Sequence, residues 1–133
     1  MRNKTTTTLY RWFQEVWSNG NKNALDELLT QDVVAHGLYP DDRPQGIDSF
    51  KKFYEEFRSQ LTNINVAVED VIAQDDMEVA LCSVTATDIA TNKAVSFGGL
   101  CMAQIRDGKI AQAWNHYDFL KMYQQLGMTL NAQ

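Results

Sequence analysis

Apolar residues recur at three- and four-residue steps through the first half of the chain and switch to a two-residue period further on, which predicts helices followed by strands. Leu9, Trp12, Phe13, Val16 and Trp17 make one helical stripe, and Ala24, Leu25, Leu28 and Leu29 make a second after Asn19-Gly20-Asn21, with Gly20 as the stop between them. A short strand over 32–37 carries His36 and runs into Tyr39-Pro40-Asp41-Asp42-Arg43-Pro44, a turn-rich stretch that disfavours helix. Gly46 opens a third helix. Its apolar side is Ile47, Phe50, Phe53, Tyr54, Phe57 and Leu61, with Lys51, Lys52, Glu55, Glu56 and Arg58 mostly opposite. Strands are then predicted near 63–74, 77–89, 94–106 and 109–118, joined by turns at Asp75-Asp76, Thr91-Asn92 and Asp107-Gly108. A short C-terminal helix follows from Phe119, Leu120, Met122, Tyr123 and Leu126, ending at Gly127. Helices first and a meander afterwards is an α+β order, read as a curved antiparallel sheet closed by the three N-terminal helices.

At 133 residues the chain suits a single domain over 1–133, long enough to bury a real core. Its 12 Lys and Arg against 17 Asp and Glu give a net charge of -5, and the basic residues are scattered rather than gathered in a stripe, so nucleic acid is not expected as a partner. No apolar run approaches the ~20 residues of a membrane span, and Met1 to Thr8 is polar with no apolar signal segment behind it. A cytoplasmic protein without a membrane partner is expected. Cys82 and Cys101 are too few for a disulfide framework, and no Cys/His cluster has zinc spacing, so no metal site is expected.

Candidate chemistry concentrates in Trp114-Asn115-His116-Tyr117-Asp118, where an imidazole and a carboxylate stand two residues apart at a strand end and should share a face with the indole. A two-residue hairpin at Asp107-Gly108 pairs positions whose numbers sum to 215, setting Trp114 opposite Cys101, His116 opposite Gly99 and Asp118 opposite Phe97. A hairpin centred on Thr91-Asn92 sums to 183 and sets Cys82 opposite Cys101, Val84 opposite Gly99 and Ala86 opposite Phe97. One face then holds these residues, and Gly99 would leave space beside His116 for a ligand. The other face, with Leu81, Leu100, Met102, Ala111, Ala113, Asn115 and Tyr117, is also apolar. The first face is assigned to the helices and the second to a partner subunit, giving a homodimer; a single bulge would exchange the two.

These residues resemble the SnoaL-like polyketide cyclases and ester-cyclase-like proteins of the nuclear-transport-factor-2-like superfold. The resemblance runs from Val16-Trp17-Ser18-Asn19-Gly20-Asn21 through Leu28 to His36 and Pro44-Gln45-Gly46, to Asp107-Gly108-Lys109-Ile110 and the ending Trp114, Asp118 and Gln125-Leu126-Gly127. It implies a cone-shaped, cystatin-like α+β barrel with a deep pocket, usually dimeric. It also implies that Asp118 is the acid/base of a cofactor-free ring closure, with His36 at a polar pocket position on the first strand.

The residues support such chemistry independently, because proton abstraction next to a carbonyl needs a carboxylate made more basic by apolar surroundings and a donor for the enolate. Asp118 beside Phe97 and Trp114 is the candidate base, and His116 or His36 the donor; ketosteroid isomerases divide these duties between carboxyl groups in an apolar pocket. Gly99, Trp17, Tyr54, Phe57 and Tyr39 join Trp114 and Phe97 as candidate substrate-binding residues, forming walls for a flat hydrophobic ligand, and no cofactor is required. Asp118 also fits a helix N-cap matched by Gly127 as stop. Trp114 and the third-helix aromatics fit plain core, and the two cysteines fit small buried thiols. Three functions follow: a cofactor-independent cyclase or isomerase, a non-catalytic carrier of a hydrophobic small molecule, and an epoxide-hydrolase-like enzyme, for which Asp88 is the nearest second acid.

Overall fold

The computed structural model describes residues 4–38 and 44–128, so Tyr39 lies outside the described residues. A single turn of 3-10 helix (Lys4–Thr6) leads into α1 (Thr8–Arg11), which continues directly as a π-helix (Trp12–Ser18). Next come α2 (Ala24–Leu28), β1 (Leu29–His36), α3 (Ile47–Arg58), β2 (Leu61–Gln74), β3 (Met77–Asp88), β4 (Ala94–Arg106), β5 (Lys109–Tyr117) and α4 (Phe119–Gln125). The strands form one open sheet in the order β1-β5-β4-β3-β2. The last four are the antiparallel meander the alternation predicts, while β1 joins its edge parallel to β5. The helices cover one face, and the core between the layers is aromatic on the helix side and small or branched on the strand side. Among the described residues no helix is long and apolar enough to cross a membrane.

The first helical segment is fixed to the sheet through polar groups. Thr7 accepts a hydrogen bond from the Tyr10 N–H, while the buried Glu78 carboxylate on β3 accepts from the N–H groups of Leu9 at 2.8 Å and Thr8 at 3.2 Å. Helix-start donors that would otherwise be orphaned are satisfied from the sheet. In the π-helix, the Ser18 hydroxyl accepts from the Val66 N–H and Gln14 Nε2 donates to the Val66 carbonyl, both at 2.9 Å, tying it to β2.

Two registers differ from the sequence expectation. Between β3 and β4 the connection is a five-residue loop over 89–93: the Asp88 carboxylate accepts from the N–H and hydroxyl of Thr91, and the Asp88 N–H donates to the Lys93 carbonyl. Thr87 therefore pairs with Ala94, and every rung moves by two. Cys82 faces Gly99, and Val84 faces Phe97. A shift by two leaves the faces unchanged. The β4–β5 hairpin begins as expected, with Arg106 opposite Lys109 and Ile105 opposite Ile110, but Gln104 then faces Gln112. Ala111 is an extra residue. Beyond this bulge, Met102 faces Trp114, Leu100 faces His116, Cys101 faces Asn115 and Gly99 faces Tyr117. One inserted residue exchanges the two sides of a strand. Ala113, Asn115 and Tyr117 consequently face the helices, and Trp114 and His116 face away.

Candidate functional site

A chamber of about 60 Å³ lies between the helices and the inner sheet face. Trp12, Phe13 and Trp17 from the π-helix, Phe50, Phe53 and Phe57 from α3, and Phe97 with Phe119 supply the rings around it. Strand residues including Val33, Ala35, Val66, Val84 and Cys101 form the floor. Asn115 and Tyr117 bring its amide and phenol groups, and among the described residues no charged side chain lines it. The rings interlock, with Trp17 edge-on to Phe57 at 5.5 Å and Phe97 tilted by 48° against Phe119 at 5.6 Å. Leu38, Phe53, Phe57 and Phe119 are only partly buried and mark its mouth.

The sequence candidates are divided by the bulge. Trp17, Phe57 and Phe97 line the chamber as expected. Tyr54 is buried behind it, with its hydroxyl donated to the Val16 carbonyl at 2.8 Å, and burial raises its pKa. His36 and Trp114 stack on each other, centroids 5.5 Å apart and 16° from parallel, on the outer side of the sheet. His116 is exposed there. The expectation that Trp114, His116 and Asp118 share one enclosed face is thus corrected, because Ala111 reverses the parity of β5. Asp118 is exposed; its carboxylate accepts from the Lys121 N–H at 3.0 Å as the N-cap of α4, and its N–H donates to the Gly98 carbonyl at 2.9 Å. Gly99 does not leave a void. A Cβ built on it would come within 2.3 Å of Tyr117 Cδ1, so the glycine provides the space in which the Tyr117 ring lies. Asp88 holds its own loop and does not line the chamber.

Three contributors were not anticipated. Asn115 is buried, and its Nδ2 donates to the His36 carbonyl at 3.0 Å, joining the end of β1 to β5. Gln125 pairs with both backbone groups of Ser96, donating to its carbonyl at 2.7 Å and accepting from its N–H at 2.8 Å. A side-chain amide thereby completes the rung that β5 leaves open, and α4 is held where Phe119 closes the chamber. The third is Tyr117. Its hydroxyl is buried without a hydrogen-bond partner among the described residues, and burial, reinforced by Cys101 and Cys82, holds its pKa well above the usual phenol range. The two thiols are likewise pushed up to about 12, chiefly by burial, which leaves them poor nucleophiles near neutrality. Among the described residues no group of three or more His, Cys, Asp or Glu is placed to hold a metal.

The sequence matches the family model described as SnoaL-like polyketide cyclase over residues 7–126. No curated protein matches the chain. Among solved structures, a candidate polyketide cyclase of Bacillus cereus ATCC 10987 is 29% identical with a TM-score of 0.80, covering 92% of this chain and 80% of that one. TsrD from Streptomyces laurentii superposes with a TM-score of 0.79 at 18% identity, covering 96% of this chain and 98% of its own. A hypothetical protein of Catenulispora acidiphila DSM 44928 with a ketosteroid isomerase-like fold, solved with trimethylamine, gives 0.79 at 16% identity, over 93% and 96% of the two chains. With the family model spanning both the helical layer and the whole meander, the chain belongs to the SnoaL-like polyketide cyclase family.

Proposed function

We propose that this protein binds a flat, hydrophobic small molecule in the chamber beneath α3 and the π-helix. The observation that carries this reading is the lining itself, which among the described residues is aromatic and aliphatic with one amide, one phenol and one thiol and no charge. Pockets of that make-up suit ligands with large apolar area and few polar groups. A volume of about 60 Å³ is space for a few water molecules. A ring-sized ligand therefore enters by swinging the partly exposed rings of Phe53, Phe57 and Phe119 outward.

A second reading is the cofactor-free cyclase or isomerase in which Asp118 is the acid/base. It is favoured by one observation: Asp118 stands in sequence between Tyr117 and Phe119, which both line the chamber. Asp118 would have to leave its capping bond to Lys121 and turn inward. His36 and His116, on the opposite side of the sheet, are not its partners in this reading.

Titration with N-phenyl-1-naphthylamine, an uncharged fluorescent probe, tests the first. Saturable quenching of the tryptophans is expected, abolished by Ala113→Leu, which fills the chamber, and unchanged by Asp118→Asn. Asn is also a good N-cap, so that substitution removes charge without removing the cap. Loss of turnover with affinity retained in Asp118→Asn, measured on an enolisable ketone that binds, would favour the second reading; unaltered binding in Ala113→Leu would exclude the chamber.

We further propose that a second copy of the chain covers the outer sheet face. Leu81 and Leu100 face each other there, 43% and 48% exposed, next to Met102, Trp114 and the 70% exposed Ile72. An apolar strip of this kind is self-complementary across a two-fold axis. Sedimentation should give a dimer that Leu100→Lys converts to a monomer, and a monomeric unsubstituted protein would contradict it.

A further inference from the structure

We propose that Tyr117 is the polar anchor of the chamber, its hydroxyl donating a hydrogen bond to an oxygen acceptor on a neutral, otherwise hydrophobic ligand: a ketone, ester or lactone. This rests on the chamber being the ligand site.

The starting observation is an unfulfilled donor. The Tyr117 hydroxyl oxygen is enclosed and has no partner among the described residues, although buried polar groups are almost always paired because desolvating them without replacement is unfavourable. Tyr54, also on the helix–sheet boundary, by contrast gives its hydroxyl to the Val16 carbonyl at 2.8 Å. The Tyr117 side chain lines the chamber, so a ligand can supply what the protein does not.

Several features hold the ring in that position. The Ala111 bulge turns Tyr117 inward, and the bare Cα of Gly99 opposite provides the space its ring fills. Phe97 stands perpendicular to it at 6.5 Å, and Phe119 lies 5.9 Å from it and 5.6 Å from Phe97, so the three rings pack as a triangle. A donor held before the ligand arrives loses little freedom on binding. Burial keeps the phenol protonated, since its pKa is held well above the ordinary value.

The same surroundings set the charge of the ligand. Among the described residues no Lys, Arg or His lines the chamber, so a carboxylate would enter without a counter-charge from them, and an unpaired buried anion is strongly disfavoured. The two thiols near Tyr117 already show this preference, each held neutral with a pKa pushed up to about 12. Fatty acids and other carboxylates are thereby excluded, and uncharged oxygenated compounds remain.

Three single-ring probes test the assignment: acetophenone, ethylbenzene as its oxygen-free counterpart, and benzoate. In NMR titrations the unsubstituted protein should bind acetophenone about three- to tenfold tighter than ethylbenzene, the range expected for one neutral hydrogen bond. Benzoate should bind at least about tenfold more weakly than acetophenone. Tyr117→Phe should reduce acetophenone to the level of ethylbenzene and leave ethylbenzene unchanged. Equal affinity for the two in the unsubstituted protein, or a preference that survives in Tyr117→Phe, would overturn the role of Tyr117 while leaving the chamber as the binding site. Binding of neither would overturn both. Benzoate binding as tightly as acetophenone would overturn the neutral-ligand assignment. A readout independent of the variant is the Tyr117 13Cζ resonance, which should move with acetophenone and not with ethylbenzene; a resonance indifferent to both at saturation would also overturn the proposal.

Discussion

Replacing Gly99 by alanine is expected to lower stability by about 3 kcal/mol, which for a domain of this size moves the melting temperature down by roughly 10 °C. The new Cβ would lie 2.3 Å from Tyr117 Cδ1, 2.6 Å from the His116 carbonyl oxygen and 2.7 Å from Tyr117 Cα. A clash with a ring atom can be relieved by a rotamer change; the contacts with backbone cannot. The penalty should therefore persist almost in full when Gly99→Ala is made in a Tyr117→Ala background, because β4 and β5 themselves must separate. A melting curve for the double variant close to that of Tyr117→Ala alone would mean that only the ring, and not the strand pairing, occupies that space. The consequence for the site is direct, since the same glycine that permits the pairing also seats the ring.

The second large effect is expected at Glu78, whose carboxylate is buried at 5% exposure and accepts from the backbone of both Leu9 and Thr8. Glu78→Ala leaves those two N–H groups at the start of α1 without their buried acceptor. Hydrogen bonds to charged groups contribute about 1.5–3 kcal/mol each, and with partial replacement by water a loss of roughly 3 kcal/mol in urea unfolding is expected. Glu78→Gln keeps one acceptor oxygen and should recover about half of it. Because α1 runs straight into the π-helix that presents Trp12 and Trp17 to the chamber, Glu78→Ala should also redshift the tryptophan emission before global unfolding. An unchanged midpoint in Glu78→Ala would contradict the docking of α1 on β3.

Most of the fold is legible in the chain because its apolar periods are long and change once. The four strands of the meander fall within two residues of their predicted bounds, the first strand begins three residues earlier than predicted, at Leu29, and the third helix starts where Gly46 opens it. The Asp107-Gly108 turn also sets the first two rungs of β4–β5 correctly. The bulge at Ala111 has no comparable signal. Ile110, Ala111, Ala113, Trp114 and Tyr117 place apolar residues at both parities of β5, so hydrophobicity alone does not choose the buried face, and it is tertiary packing that turns Asn115 and Tyr117 inward. The β3–β4 loop did carry a sign, since Asp88 and Thr91 are spaced to hold a four-residue turn by side-chain bonds.

The site divides along the same line. Trp17, Phe57 and Phe97 lie on stripes whose facing is unambiguous, and they line the chamber. Trp114, His116 and Asp118 were grouped by local spacing in a strand whose register depends on one inserted residue. Asp118 illustrates how a residue can satisfy two readings of sequence: the helix pattern that follows it predicts the N-cap, and that bond is present. Gln125, by contrast, acts on Ser96, 29 residues away, and no local pattern announces a side chain that completes a sheet rung.

The most direct measurement is a crystal structure of the protein grown with 1-indanone, a flat neutral ketone. The account predicts one molecule between the π-helix, α3 and the sheet, touching Trp17 and Phe57, with its carbonyl oxygen within hydrogen-bond distance of Tyr117 Oη and Asp118 still capping α4. Density for the ketone only outside an unchanged chamber, or a ligand held by an inward-turned Asp118 with Tyr117 uninvolved, would contradict it.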